Sequence, residues 1–409
     1  MVHLPMTGIK VLEVAQFTFT PAAGAVLTEW GADVIKVEHA ETGDAQRGLR
    51  IGPYAPAEGS FAPIMDHPNR GKRSIGLAID TPAGHEVLMD LARTADVFLT
   101  NFLPDARRRL KIDVDDLREV NPNIIYVRGS ANGQRGPDAE SGGFDGTTFW
   151  CRGGSAWSAT PPDCPRPISM PGGAYGDTIG GMTIAGGIAA ALFAREATGE
   201  PSVVDVSLLG VGLWSMALNV SNALMTGTNI EPPPLNAPVA AVANPFVGLL
   251  RTSDDRWLSL AILQPGRYFA DTCKHLGLDH LLEDQRFATA EGIMEHTKEI
   301  ADEVARAIAA QPLSYWMKRL QTLEGQWAAL QNQLEVGADP QVLANGYLVD
   351  VVDAEGTSRQ LVANPVQFDE RPPSSARGPL FAEHTDDILR ELGKTEGELI
   401  QLKVEGACT

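Results

Sequence analysis

The sequence predicts an α/β protein in which a large domain with a parallel sheet is followed by a smaller α+β domain. Three observations carry this. Short apolar segments alternate with helical ones through the first third of the chain, the pattern of βαβ units. A chain of 409 residues exceeds what one ordinary core organises, so two domains or more are expected. The run Glu231-Pro232-Pro233-Pro234-Leu235 is the clearest linker, and the character of the sequence changes beyond it.

Element by element, Ile9 to Val14 reads as a strand, and Pro21 suits the first position of a helix ending near Gly31. Ala32 to Glu38 and Arg73 to Ile79 are further strands, and Thr81-Pro82 caps a helix running to about Ala95. Asp96 to Leu99 and Ile124 to Val127 follow, with helical segments between them. From Gly129 to Gly176 the pattern dissolves into Gly, Pro, Ser and aromatic residues, an irregular length that usually has a functional reason. A small-residue helix after Asp177 ends at Thr198-Gly199. Val203 to Leu209 predicts a strand and Gly210 to Thr226 one apolar helix. Beyond the linker, Gly248 to Leu263 predicts a hairpin turning at Ser253-Asp254-Asp255. Amphipathic helices follow at Arg267 to Leu276, Glu295 to Ala310 and Leu313 to Leu323. Tyr347 to Phe368 is extended, and His384 to Leu392 is a short terminal helix.

A formal net charge of −19 argues against nucleic acid or an anionic membrane as partner, so any polyanionic ligand must meet a local basic cluster. Two such clusters stand out, Arg70-Gly71-Lys72-Arg73 and Arg107-Arg108-Arg109. Each is a solvated face on the plain reading. As a pair in one α/β domain they also suit a ligand with several phosphates, such as coenzyme A. The start Met1-Val2-His3-Leu4-Pro5 lacks the charged and apolar regions of a secretory signal. The apolar run Met182 to Ala194 is too short to span a bilayer. Cys151, Cys164, Cys273 and Cys408 are scattered and read as reduced thiols, so a cytoplasmic protein is expected.

The candidate for chemistry is Pro171-Gly172-Gly173-Ala174-Tyr175-Gly176-Asp177, which sets a carboxylate at the mouth of a helix. There the unpaired N–H groups favour its ionised form. Taken alone, Asp177 reads first as a helix N-cap. A dinucleotide-binding reading, with Glu38 on a ribose, fails because Ala15-Gln16-Phe17-Thr18-Phe19-Thr20-Pro21 lacks the glycine cradle. Gly153-Gly154-Ser155-Ala156-Trp157 is not a nucleophile elbow, and no histidine sits in a metal-binding pattern, so no metal site is expected.

The chain resembles the class III coenzyme A transferases, the family of formyl-CoA transferase and carnitine CoA-transferase, which also contains α-methylacyl-CoA racemase. The resemblance rests on Gly31-Ala32-Asp33-Val34-Ile35-Lys36-Val37-Glu38, Thr42-Gly43-Asp44 with Arg47-Gly48, and Asn69-Arg70-Gly71-Lys72-Arg73-Ser74. Ala95-Asp96-Val97, Asn101-Phe102 with Pro104, Asn121-Pro122, Gly143-Phe144-Asp145, Gly176-Asp177 and Ala197-Thr198-Gly199 continue it in family order. It implies a Rossmann-like large domain and an interlocked homodimer with the active site at the dimer interface. Residues 1–225 and 341–409 would form the large CoA-binding domain, and 226–340 the small domain with its linkers. It implies Asp177 as nucleophile and Thr18, His39, Lys72, Arg73 and Arg109 as the CoA-binding neighbourhood, with Phe144 and Asp145 beside the thioester. No prosthetic group is implied; acyl-CoA and small carboxylic acids are the substrates.

The family's tetraglycine loop has no counterpart here. Thr18 and His39 stand where formyl-CoA transferase has glutamine and arginine, and Glu324-Gly325-Gln326-Trp327-Ala328 replaces a Gly-x-Pro pattern. The racemase branch carries histidine at the position of Phe144, which cannot exchange a proton, so a transferase is expected over a racemase. A non-catalytic acyl-CoA-binding protein is the remaining reading.

Overall fold

The computed structural model describes residues 4–49, 54, 60–235 and 244–409; the first three residues of the start segment lie outside them. The chain divides into two units. Residues 1–160, 167–230 and 340–409 form the larger, and residues 161–166 and 231–339 the smaller.

Six strands build the larger unit's sheet: β1 (Lys10–Val14), β2 (Asp33–Glu38), β3 (Arg73–Gly76), β4 (Val97–Thr100), β5 (Ile125–Ser130) and β6 (Val203–Ser207). They pair in parallel in the order β3-β2-β1-β4-β5-β6. The direction of winding reverses between β1 and β4, so the crevice beyond their carboxyl ends is where a ligand is favoured. Helices α1 (Phe19–Glu29), α2 (Pro63–Asn69), α3 (Pro82–Ala92), α4 (Pro104–Leu110) and α5 (Val114–Val120) lie in the first half. Next come α6 (Ser155–Ala159), α7 (Tyr175–Thr198), α8 (Leu208–Ser215) and α9 (Ala217–Thr226).

Strands covered on both faces need apolar residues at successive positions. Val97, Phe98 and Leu99 are all fully buried, as are Ile125, Tyr126 and Val127. Val11, Val97, Leu99 and Val127 join a core with Val26 and Leu27 of α1 and Ile184 and Ile188 of α7. Leu12, Phe98 and Tyr126 join a second core with Val87 and Leu88 of α3. Ile388, Leu389 and Leu399 complete that second core, so the chain's last helices close the sheet that its first strand opened.

Several elements differ from the sequence expectations. α1 begins at Phe19, so Pro21 is its third residue rather than its first. The apolar helix expected from Gly210 to Thr226 is two, α8 and α9, bent by 72° at Met216. Glu396–Val404 adds a second terminal helix, started by a capping box between Thr395 and Glu398. The expectation that the apolar run is too short for a bilayer also needs correction. α7 has 24 residues, and its most apolar 18-residue stretch has a mean hydropathy of 1.4, long and apolar enough by length and composition. Here its buried residues face α1 and the sheet.

The contact of α1 with α7 depends on small residues. A Cβ at Gly181 would lie 2.5 Å from the Ala22 methyl and 3.1 Å from the backbone of Ala22 and Ala23. Gly181→Val is therefore expected to cost about 1–3 kcal/mol through overpacking. A denaturant midpoint unchanged from wild type would contradict this.

The smaller unit has an antiparallel sheet of β7 (Val247–Arg251), β8 (Trp257–Ala261) and β9 (Trp327–Ala329). Amphipathic helices Pro265–Leu276, Thr297–Ala309 and Leu313–Arg319 bury Phe269, Ile300 and Trp316 against Phe246, Leu258 and Leu260. β7 and β8 form the expected hairpin. In the larger unit a further hairpin, β10 (Leu348–Val352) with β11 (Ser358–Val362), occupies the extended region before the terminal helices.

Candidate active site

Asp177 is the third residue of α7, not its N-cap; Ala174 holds that position in the left-handed conformation, with φ 58°. Glycine is required just before the carboxylate, because a Cβ on Gly176 would sit 2.5 Å from the Phe149 ring. Asp145 heads a π-helical turn, Gly146–Arg152, and its Oδ1 accepts from the Gly146 N–H at 2.7 Å. Its other oxygen is buried without a hydrogen-bond partner. The Asp145 carboxyl is raised above its ordinary range by burial, against which the Gly146, Gly176 and Asp177 N–H groups pull.

Asp177 is raised further, to about 7, first by burial and then by the negative charge of Asp145. The expectation that the helix N-terminus holds Asp177 firmly ionised is thereby corrected. Desolvation and a like charge outweigh the helix end, whose first N–H groups are turned toward Asp145. Near neutral pH the Asp177 carboxyl exists in both protonation states.

Two cavities of the larger unit open on this carboxyl. One, of about 690 Å³, has Ile64, Met170, Leu361 and Val362 among its walls, with Thr18 and Asp145 beside Asp177. The other, of about 680 Å³, has Asn101, Arg107, Ser130 and Gln134 set among largely apolar walls that include Phe102, Leu103 and Leu208, and lies beyond the ends of β4 and β5. Phe17, Phe144 and Asp177 belong to both. Phe144 is 60% exposed and stands edge to face with Phe17, ring centroids 5.5 Å apart. The Thr18 hydroxyl is buried and donates to Gln46 Oε1 at 2.9 Å.

The remaining sequence-predicted residues are not brought to these cavities. Lys72 is fully buried, its Nζ donating to Glu13 Oε1 at 2.7 Å, the Pro21 carbonyl at 2.8 Å and Asn69 Oδ1 at 3.1 Å. Its ammonium faces carboxylate and carbonyl oxygens, which corrects the expectation of a phosphate contact. Arg73 is likewise engaged, pairing with Asp33 at 2.6 Å and Glu391 at 2.7 Å. His39 is exposed, its Nδ1 accepting from the Glu41 and Thr42 N–H groups. Arg109 is exposed on α4, and none of the described hydrogen bonds or ion pairs uses it. Glu38 is held by Arg47 at 2.6 Å and by the Ser74 hydroxyl at 2.7 Å, which fits the missing dinucleotide motif. Among the described residues no group of three or more His, Cys, Asp or Glu is placed to hold a metal ion.

Sequence reading missed Phe17, Gln46 and Asn101. Phe17 adopts φ 64°, rare for a residue with a side chain. The signal available was position: Gln16-Phe17 and Asn101-Phe102 follow β1 and β4, the two strands that flank the reversal in winding.

A parallel sheet with its crevice at the reversal, and a perturbed carboxyl between two cavities, describe an α/β enzyme site. The chain belongs to CoA-transferase family III, whose sequence profile matches residues 6–385. It is a CoA-transferase. It is similar to succinate–glutarate CoA-transferase of Agrobacterium fabrum, 32% identical over 96% of both chains. Cinnamoyl-CoA:phenyllactate CoA-transferase of Clostridium sporogenes is 28% identical, covering 97% of this chain and 95% of the relative. A solved CAIB/BAIF family protein from Brucella suis superimposes with a TM-score of 0.78 at 28% identity, covering 96% of this chain and all of that one.

Proposed function

We propose that this protein moves CoA from an acyl-CoA donor to a carboxylic acid acceptor through a covalent intermediate on Asp177. The observation that carries the reading is the position of Asp177, a partly buried carboxyl reached from both cavities. In its ionised form Asp177 attacks the thioester carbonyl, the C–S bond breaks, and an acyl-aspartyl anhydride and CoA thiolate result. The thiolate attacks the aspartyl carbonyl, releasing the donor acid and leaving an aspartyl-CoA thioester. The acceptor carboxylate attacks that thioester, giving a second anhydride and thiolate. Return of the thiolate to the acceptor carbonyl yields the new acyl-CoA and restores Asp177. Each exchange conserves the acyl energy, so the chemistry calls for no prosthetic group. Phe144 offers no proton to a substrate carbon, which favours transfer over racemisation.

The second cavity suits the amide-bearing arm of CoA, since Asn101, Ser130 and Gln134 supply donors and acceptors between apolar walls. We assign the phosphates to exposed Arg109, with His39 near the nucleotide end. Arg109→Ala should raise KM for CoA thioesters by 10-fold or more, the loss of a charge-assisted contact being worth roughly 1.5–3 kcal/mol. An unchanged KM would remove Arg109 from the site. On the same reading residues 1–225 and 341–409 form the CoA-binding domain of an interlocked homodimer, with 226–340 as its small domain. Exposed Phe193, Trp214, Leu218, Leu224 and Met225 supply an apolar face for a second copy. A panel of acyl-CoA donors and carboxylic acceptors, followed by product mass, tests the activity; light scattering tests the dimer.

A further inference from the structure

The two cavities share Phe17, Phe144 and Asp177, and Phe17 is held there against its own backbone preference. Its φ of 64° persists only if the surroundings over-determine it. Four hydrogen bonds do so. The Gln16 N–H donates to Asn101 Oδ1 at 3.0 Å, and Asn101 Nδ2 donates back to the Gln16 carbonyl at 2.7 Å. The Phe17 N–H donates to Asp44 Oδ1 at 3.1 Å, and the Thr18 hydroxyl donates to Gln46 Oε1 at 2.9 Å.

Asp44 is itself braced. It is 2% exposed, its Oδ2 lies 2.8 Å from Lys36 Nζ, and Lys36 also donates to the Ala15 carbonyl at 2.8 Å. The buried Lys36–Asp44 pair thus grips the turn on both sides of Phe17. Burial alone would discharge Lys36, but Asp44, Glu13 and Glu38 outweigh it and keep the ammonium charged. The ring that this brace presents meets Phe144 edge to face at the boundary of the cavities. On one side lie Ile64, Met170, Leu361 and Val362; on the other lie Asn101, Ser130 and Gln134 among the apolar walls of Phe102, Leu103 and Leu208.

We propose that Phe17 is a specificity-determining wall between an apolar acyl chamber and the chamber for the thiol arm, with Asp44 the positioning residue that holds it. The acyl groups this selects are uncharged and apolar, with a size limit set by the Phe17 ring. The inference rests on the reading that Asp177 receives the acyl group from a CoA thioester. Removing the ring joins the chambers, so a short acyl group loses its backing while a bulky one gains room.

The test measures kcat and KM over straight-chain and aryl acyl-CoA donors of increasing size with one common acceptor. It uses wild type, Phe17→Ala, Phe17→Gly, Phe17→Leu and Asp44→Asn. Phe17→Gly keeps the test alive if Phe17→Ala does not fold, because glycine adopts this φ without strain. The ratio of kcat/KM for the bulkiest donor to that for the shortest should rise at least 10-fold in Phe17→Ala and Phe17→Gly. Phe17→Leu should fall between them and wild type. Asp44→Asn should move the ratio the same way by a smaller factor. A uniform fall for every donor in the Phe17 variants overturns the wall. A lower Tm in Asp44→Asn with an unmoved ratio overturns its positioning role. Failure of the underlying reading is separable: it appears as full transfer by Asp177→Asn, whatever the Phe17 variants do.

Discussion

Asp177→Asn should fold, bind CoA thioesters and lose transfer by several orders of magnitude. The amide is close in shape to the carboxyl but cannot form the anhydride, so the covalent route is closed. Wild-type protein given an acyl-CoA and hydroxylamine should acquire a hydroxamate at residue 177, and the variant should not. Near-wild-type transfer by mass-verified variant protein would refute the mechanism.

The same substitution should stabilise the fold at pH 8. The folded-state value of about 7 lies well above that of a carboxyl in an unfolded chain. Between about pH 4 and 7 the native protein therefore holds a proton that the unfolded one has lost. The stability this confers is complete below the unfolded value and disappears as pH rises through about 7. Wild type thus carries a cost on the order of 2–4 kcal/mol at pH 8 that Asp177→Asn does not. Activity runs the other way, with kcat/KM rising through about pH 7 as Asp177 ionises. Asp145→Asn removes the neighbouring charge and should shift that rise to lower pH. A stability gain joined to a loss of transfer is the signature of a destabilised catalytic group.

The central strands β4 and β5 were legible because Val97–Leu99 and Ile125–Val127 are short apolar runs between turn residues, buried on both faces. Asp177 was legible through its glycines, which mark a close approach that only Gly176 permits beside Phe149. Local pattern gives no view of partners far along the chain. Arg70-Gly71-Lys72-Arg73 reads as a basic surface, yet Lys72 meets Glu13 across 59 residues of sequence. The φ of Phe17 is imposed from Asp44 and, through Gln16, from Asn101, 27 and 85 residues away. The three-residue strand β9 has no periodicity of its own and exists because β8 offers it an edge. The raised Asp177 value escaped for the same reason, since it depends first on burial in the folded site and then on Asp145 folding over the start of α7.

Lys72→Met should unfold far more easily than wild type while leaving KM for CoA thioesters unchanged. Lys72 and Glu13 are both fully buried, and where Lys72 is protonated, removing one partner of such a pair typically costs about 3–5 kcal/mol, because the other charge loses its compensation. Glu13 retains only the longer contact to Lys36 at 3.4 Å, and its second oxygen already lacks a hydrogen bond. The Pro21 carbonyl and Asn69 Oδ1 lose a donor in the same step. Replacing Glu13 by leucine as well should recover much of the loss, since an apolar pair of similar volume replaces a buried ionic one at little cost. The pH dependence adds an independent readout. Burial lowers Lys72 to about 7, with Glu13 only partly opposing it, so the unfolded chain holds more protons between about pH 7 and 10. Wild-type stability therefore gains a rising contribution over that window, lost as pH falls back through about 7, and Lys72→Met should lack it. Chemical denaturation at pH 7 and pH 10, with KM measured in parallel, separates the two roles. A raised KM with an unchanged denaturation midpoint would return Lys72 to the phosphate site; a collapsed midpoint with an unchanged KM places its charge in the interior that carries the β1 turn.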